Sequence, residues 1–291
     1  MRNKIAFIIN PISGTSNKKD LPTFINSLID PVKWETPLIL YTERAGHGME
    51  LAQQCVADGF DVVVACGGDG TVNEIATGLI GTQTALSIVP YGSGNGLARH
   101  WGFSLTPRKA VAQINAGTSH PMDYGVVNDR KFFCTCGTGF DAHITHMYAK
   151  KGTRGFLTYL KCIVPEYFKY KPYEYQLEVN GETISRNAFV VTFANASQYG
   201  NDGFIAPHAS TQDGLMDICF LDEFPMSSMP KLAWQLLHKT LDRSPYTTYF
   251  RSREAILRRS YEGEFHVDGE AILLGKEIHV EIISDQLKIW I

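Results

Sequence analysis

No apolar run in the 291-residue sequence approaches the roughly 18 residues needed to cross a bilayer as a helix, so a membrane-spanning helix is excluded. Basic excess is missing too. The 27 Lys and Arg against 30 Asp and Glu leave a net charge of −3, which argues against a general nucleic-acid binder. Cys55, Cys66, Cys134, Cys136, Cys162 and Cys219 include no Cys-x-x-Cys pair, so reduced packing thiols in a cytosolic protein are expected rather than a zinc or disulfide framework. His143 and His146 have no glutamate between them as in His-Glu-x-x-His, which removes a zinc-protease reading. Only five apolar residues precede Asn10-Pro11, too few for a secretory core, and they read as a first strand. No Gly-x-x-x-x-Gly-Lys-Ser/Thr loop occurs, and no Gly-x-Gly-x-x-Gly follows that strand, so the two commonest nucleotide-binding signatures are absent.

What is present is an ordinary soluble composition, 44% apolar and 20% charged, at a length that favours two domains. In the first half, short apolar runs at Ile5–Ile9, Pro37–Tyr41, Asp61–Cys66 and Ala85–Val89 alternate with helical spacing. Val72, Ile75, Ala76, Leu79 and Ile80, at offsets 0, 3, 4, 7 and 8, give the clearest helix. This alternation predicts an α/β domain with a mostly parallel sheet, whose ligands gather at the carboxyl ends of the strands. After about residue 122 the pattern becomes strand-rich, with hairpin turns at Asn128-Asp129 and Asn180-Gly181 and helical inserts near Phe156–Tyr167 and Met229–Lys239. The expected division is therefore 1–122 and 123–291, with the last strand a candidate to return to the first domain.

The chemistry concentrates at the strand ends of the first half. Asp61–Cys66 runs into Gly67-Gly68-Asp69-Gly70-Thr71 and then into the amphipathic helix at Val72. Such a unit offers backbone N–H groups and a helix amino terminus to phosphate oxygens, with Asp69 placed to hold a divalent cation. Asn10 to Gly14 follows the first strand, and Pro90 to Gly96 follows the fourth. Three polar, glycine-bearing loops at one sheet edge point to nucleotide phosphates.

These motifs resemble the catalytic domain of diacylglycerol kinases, a superfamily that also holds sphingosine and ceramide kinases and bacterial soluble lipid kinases. The resemblance continues through Gly139-Phe140-Asp141-Ala142, Tyr199-Gly200, Ile205-Ala206-Pro207, Asp213-Gly214-Leu215-Met216-Asp217 and Asp268-Gly269-Glu270, in the family's order along essentially the whole chain. It implies a Rossmann-like amino-terminal domain and a mainly antiparallel β-sandwich carboxy-terminal domain. It implies ATP and Mg²⁺ as cofactors, with nucleotide contacts on Asn10, Ser13, Gly14, Thr42, Gly67, Gly68, Asp69, Gly70, Thr71, Val72, Asn73 and Ser93. The magnesium-linked acid falls on Asp69, and the catalytic base on Asp268 or Glu270. A second, structural magnesium would map near Ser210, Asp213 and Leu215, where only Asp213 supplies a carboxylate.

One departure from the family concerns Gly96, where many bacterial members carry an aspartate. The metal would then rest on Asp69, Glu270 or Asp123, and the Gly-Ser-Gly-Asn wording is closer to the sphingosine-kinase variant. Read without the family, Asp268-Gly269 is also a good two-residue hairpin turn, like Asn180-Gly181. The expected activity is ATP-dependent phosphorylation of a lipid hydroxyl, such as that of diacylglycerol or a sphingoid base. NAD kinase, which shares the fold and the glycine loop, and a non-catalytic nucleotide or lipid sensor are the alternatives. A cytoplasmic protein that docks transiently on a membrane is expected, with homo-oligomerisation open. The proposed dock is residues 150–175, which interleave Lys150, Lys151, Arg154, Lys161, Lys169 and Lys171 with aromatic residues; Arg251, Arg253, Arg258 and Arg259 are candidates either for a second basic patch or, on strand-like sequence, for pairing with acids.

Overall fold

The computed structural model describes residues 2–14, 17–151 and 165–291. The chain divides into two compact units, Met1–Asp123 with Ser284–Ile291, and Tyr124–Ile283.

The first unit alternates strand and helix: β1 (Ile5–Ile9), α1 (Leu21–Leu28), β2 (Leu38–Tyr41), α2 (His47–Ala57), β3 (Val62–Gly67), α3 (Asp69–Leu79), β4 (Ala85–Pro90), α4 (Gly96–His100) and α5 (Pro107–Gln113). The strands lie parallel in the order β2-β1-β3-β4. Every residue of β1, β3 and β4 is buried, which is why these strands read as unbroken apolar runs rather than as alternation. Val72, Ile75, Ala76 and Leu79 of α3 are buried, as their spacing predicts. The core joins Phe7, Ile9, Leu21, Ile25, Trp34, Val64 and Val89. Each large aliphatic or aromatic side chain removed from water there contributes about 1.5–3 kcal/mol.

The segment Ser284–Ile291 completes this unit as the end of β16 (Glu277–Trp290). Ile289 pairs in parallel with Leu86, Trp290 Nε1 donates to the Ile114 carbonyl at 2.9 Å, and the Trp290 ring meets Trp34 edge-on at 5.4 Å.

The second unit is built from two antiparallel layers. One runs β12 (Thr247–Ser252), β11 (Met216–Leu221), β10 (Val190–Ala194), β7 (Thr135–Gly139), β14 (Gly263–Val267), β15 (Glu270–Leu274). The other places the first half of β16 beside β13 (Glu254–Arg259), then β8 (Tyr173–Val179) and β9 (Glu182–Ala188). Alternation sorts their side chains. Tyr175, Leu177 and Val179 of β8 meet Val191, Phe193, Ile218 and Phe220 in the core between the layers. Val190, Ala194 and Cys219 point the other way, into a second cluster with Phe140 and Ile144 of α6 (Phe140–Lys151) and Leu232 of α7 (Met229–Leu237). The protein is thus mixed α/β, with a parallel-sheet amino-terminal domain and an antiparallel carboxy-terminal one.

Two expectations need adjustment. The strand expected to follow the Asn128-Asp129 turn is interrupted, because β6 (Arg130–Phe132) and β7 are separated at Phe133-Cys134, whose backbone amides bind a side chain of the β14–β15 turn. The second basic patch is not an open cationic surface. Arg251 pairs with Asp213 and Asp217, and Arg258 pairs with Glu178 and Glu277. Arg259 is buried against the carbonyls of Gly263, Glu264, Leu274 and Gly275. The five described cysteines are buried and free. Most of the insert expected at Phe156–Tyr167, and the centre of the 150–175 dock including Arg154 and Lys161, lie outside the described residues. No helix among the described residues is long and apolar enough to cross a membrane.

Candidate active site

The order β2-β1-β3-β4 makes the sheet change direction between β1 and β3, and at such a switch point the loops leave a crevice beyond the carboxyl ends of the strands. Asn10 follows β1 there, and Gly67-Gly68 ends β3. The two ends are tied together: Asn10 N donates to the Cys66 carbonyl at 3.1 Å, and Asn10 Nδ2 donates to Thr71 Oγ1 at 3.0 Å. Asn10 Oδ1 accepts the Ile12 amide at 3.1 Å and turns the chain towards Ser13 and Gly14.

The loop after β4 closes on both of the others. A Cβ on Gly14, whose φ is +69°, would sit 1.8 Å from the Tyr91 carbonyl oxygen, and one on Gly92 would sit 2.7 Å from the Gly68 Cα. Only glycine permits these approaches. Gly92 N donates to Asn95 Oδ1 at 2.8 Å, and Asn95 Nδ2 returns a bond to the Gly92 carbonyl at 2.7 Å. Asn95 itself is left-handed at φ 52°.

Asp69 is the first residue of α3, and its carboxylate accepts the Asn95 amide at 2.9 Å and the Gly96 amide at 2.8 Å. At the position where many family members carry an acid, this chain therefore presents a backbone N–H to Asp69. The first-turn amides of α3, from Asp69 to Thr71, have no intrahelical acceptor, whereas Val72 N is already bonded to the Gly68 carbonyl at 3.0 Å. Val72 is buried, so among the expected nucleotide contacts it is a core residue by its side chain. Gly70 and Ser93 are exposed, Asn73 is half-buried, and Thr42 is buried at the end of β2 with its amide on the Ile9 carbonyl. Glu74 accepts the Gly46 amide at 2.9 Å and the Gly48 amide at 3.0 Å, capping α2.

Lys18 was not singled out by sequence reasoning. It is buried, donates to the Ser13 carbonyl, and lies 4.8 Å over the Tyr91 ring, bracing the first loop against the third. Burial pushes its ammonium pKa below the usual value and lifts the Tyr91 phenol to about 12. Its only sequence signal was a basic residue shortly after a strand-end loop.

In the second unit, Asp268 and Gly269 form the β14–β15 turn with φ of 47° and 79°, the conformation that favours Asp-Gly. Asn180-Gly181 has the same backbone, at 53° and 78°. The side chains differ. Asn180 binds the Arg251 carbonyl and Ser252 Oγ, whereas the Asp268 carboxylate accepts three amides, from Phe133 at 2.9 Å, Cys134 at 2.8 Å and Thr135 at 3.1 Å. These are the amides whose diversion breaks the expected strand. Glu270 is exposed on β15. Two positions before the turn, buried His266 meets Asp141 Oδ2 through Nε2 at 3.0 Å, and Tyr199 OH donates to the same oxygen at 2.8 Å. Burial and the Asp141 charge hold the Tyr199 phenol neutral, its pKa well above the usual value.

The residues of the implied structural magnesium site lie together but are already engaged. Ser210 Oγ accepts the Gln212 amide at 3.3 Å, Asp213 Oδ1 accepts the Leu215 amide at 3.1 Å, and Asp213 Oδ2 is bonded to Arg251. No group of three or more His, Cys, Asp or Glu side chains suited to a metal occurs among the described residues. Asp213 is the one side-chain carboxylate of the implied site and is bonded to Arg251, and Leu215 could add only its carbonyl oxygen. Asp69 offers one carboxylate at a helix amino terminus, the kind of protein ligation Mg²⁺ uses when nucleotide phosphates supply further oxygens.

Three glycine-bearing loops converge at the carboxyl edge of a parallel sheet, and an antiparallel sandwich follows in the chain, the two-domain class to which comparison with known proteins assigns it. The diacylglycerol kinase catalytic domain matches residues 4–127, and the YegS C-terminal NAD kinase beta sandwich-like domain matches residues 134–289. The chain belongs to this diacylglycerol kinase and YegS-type lipid kinase family. It is 26% identical over 273 residues to a diacylglycerol kinase of Bacillus subtilis, covering 90% of this chain and 88% of that protein. It is 30% identical over 264 residues to the protein named Probable lipid kinase YegS from Salmonella typhimurium, covering 85% and 83%. The crystal structure of a diacylglycerol kinase from Bacillus anthracis shares the fold, with a TM-score of 0.76 at 18% identity, covering 99% of this chain and 96% of that one.

Proposed function

We propose that the protein transfers the γ-phosphoryl group of ATP to the hydroxyl of a membrane lipid, diacylglycerol or a sphingoid base being the substrate classes to test first. The observation that carries this reading is the convergence of the Asn10, Gly67 and Tyr91 loops at the switch point, around the amino terminus of α3. Phosphoryl transfer through a loose transition state needs positioning and charge neutralisation more than covalent chemistry. The first-turn amides of α3 and the Asn10–Gly14 loop orient the triphosphate, and Lys18 fixes that loop. Mg²⁺, held at Asp69 when bound, would supply charge neutralisation at the phosphate oxygens. Asp69 also holds the third loop through the Asn95 and Gly96 amides, so its carboxylate both binds and shapes the pocket.

A carboxylate of the Asp268-Gly269-Glu270 turn takes the hydroxyl proton, an effect typically worth about 10²–10⁴ in rate. Asp268 is oriented by three amides, and exposed Glu270 is the second candidate base. Incubation with radiolabelled ATP and a panel of diacylglycerol, monoacylglycerol, phosphatidylglycerol, sphingosine and ceramide tests the activity, with NAD as a water-soluble acceptor. Labelled lipid that disappears in Asp69→Ala supports the reading. Label on NAD alone, or none on any acceptor, defeats it. Asp268→Asn should lower kcat far more than ATP affinity, and the same pattern in Glu270→Gln with a silent Asp268→Asn moves the base to Glu270.

A further inference from the structure

Where the family places a structural divalent cation, this chain has a guanidinium. Arg251 sits on β12 directly opposite Asp217 of β11. Its Nη2 bonds Asp213 Oδ2, and its Nε lies 3.5 Å from Asp217 Oδ2. The Asp217 side chain is only 6% exposed. The sheet fixes where the arginine sits: its backbone is paired in the β11–β12 ladder, and its carbonyl accepts Asn180 Nδ2 at 3.1 Å from the Asn180-Gly181 turn.

We propose that Arg251 is the resident counter-cation of the Asp213–Asp217 loop, replacing the structural divalent ion, so that the stability of this lobe is independent of Mg²⁺. A divalent ion at Asp213 would need an oxygen shell and would have to displace a charge-assisted bond from a guanidinium anchored on the neighbouring strand. The two cations compete for one carboxylate, and the arginine is covalently present at every Mg²⁺ concentration. Guanidinium also suits the task, because one planar group spans two carboxylates where an ammonium reaches one well.

Thermal unfolding of the full chain, in EDTA and in millimolar Mg²⁺ without nucleotide, tests this without reference to catalysis. Wild type and Asp213→Asn should show the same Mg²⁺-induced shift, whatever its size, because Asp213 takes no part in it. Arg251→Gln should lower the midpoint in EDTA by about 3–8 °C, since it strands two carboxylates, one of them buried. Arg251→Lys should recover part of that loss. A Mg²⁺ shift in wild type that Asp213→Asn abolishes would overturn the proposal, as would an Arg251→Gln midpoint in EDTA equal to that of wild type. Should Arg251→Gln fail to fold, the comparison of wild type with Asp213→Asn still decides.

Discussion

Gly14→Ala isolates the contact between the first and third loops. The added Cβ would lie 1.8 Å from the Tyr91 carbonyl oxygen and 2.8 Å from its carbon. Ordinary van der Waals contact begins near 3.4 Å, so one loop must retreat by roughly 1.5 Å. Holding alanine at φ +69° costs a further ~1–2 kcal/mol. That strain alone lowers the midpoint of a chain this size by about 2–8 °C. The displacement acts on function instead, because a misplacement of about 1 Å in a positioning element can cost ~10²-fold in rate. Gly59→Ala is the matched control: its φ is +73°, so the strain is similar, but nothing lies within 4 Å of the new Cβ. Initial rates over an ATP titration at saturating lipid, with thermal unfolding of both variants, give the comparison. Gly14→Ala should lose about two orders of magnitude in kcat/KM for ATP, and Gly59→Ala should stay near wild type at a comparable loss of stability. Equal rates in the two folded variants would show that the junction of these loops does not form the nucleotide site.

Lys18→Met removes a buried charge whose pKa burial has lowered, and this gives a pH signature. Between that lowered value and the ordinary 10.5 the unfolded chain binds the proton more tightly, so wild-type stability rises with pH through the window relative to Lys18→Met. Urea midpoints of the two proteins that run parallel from pH 8 to 10.5 would contradict the burial. Glu74→Gln keeps one acceptor for the two α2 amides and should cost about 1 kcal/mol, read as a fall of roughly 2–4 °C in midpoint with kcat preserved. Lost activity at an unchanged midpoint would put Glu74 in the nucleotide site instead. Docking through residues 150–175 predicts more co-sedimentation with anionic than with zwitterionic vesicles, reduced by salt and by reversing Lys150, Lys151 and Arg154 to Glu. Equal binding to both vesicle types removes this segment as the dock.

The first unit was readable because each of its signals is local. Strands buried on both faces must be apolar throughout, and α3 carries its core residues at the period of one face. The loop residues were readable because glycine between a strand and a helix has few other uses. Lys18 was not, because its role depends on Tyr91, which is distant in sequence and near only once the parallel sheet forms. Asp268 shows the same limit differently: its turn is written in two adjacent residues, but the amides that hold its carboxylate come from Phe133 to Thr135, across the sheet. The four arginines read equally as a patch or as partners of acids, because sequence records charge but not the opposing strand. Register places Asp217 against Arg251, and Arg251, Arg258 and Arg259 are the three that the sheets engage.

The placement of Ser284–Ile291 in the first unit bears on how the protein is made. Synthesis completes the three glycine-bearing loops early, yet the strand beside β4 and the indole that packs on Trp34 emerge only after all of Tyr124–Ile283. At about 5–20 residues per second that delay is on the order of 10–30 s, long compared with the folding of a small domain. During it, the β4 edge and the Trp34 surface lack their final cover and are open to wrong pairing or to chaperones. The first unit is therefore first in the sequence but cannot be completed before the end of synthesis, and a ribosome stalled before Ser284 would carry a first unit still missing a strand.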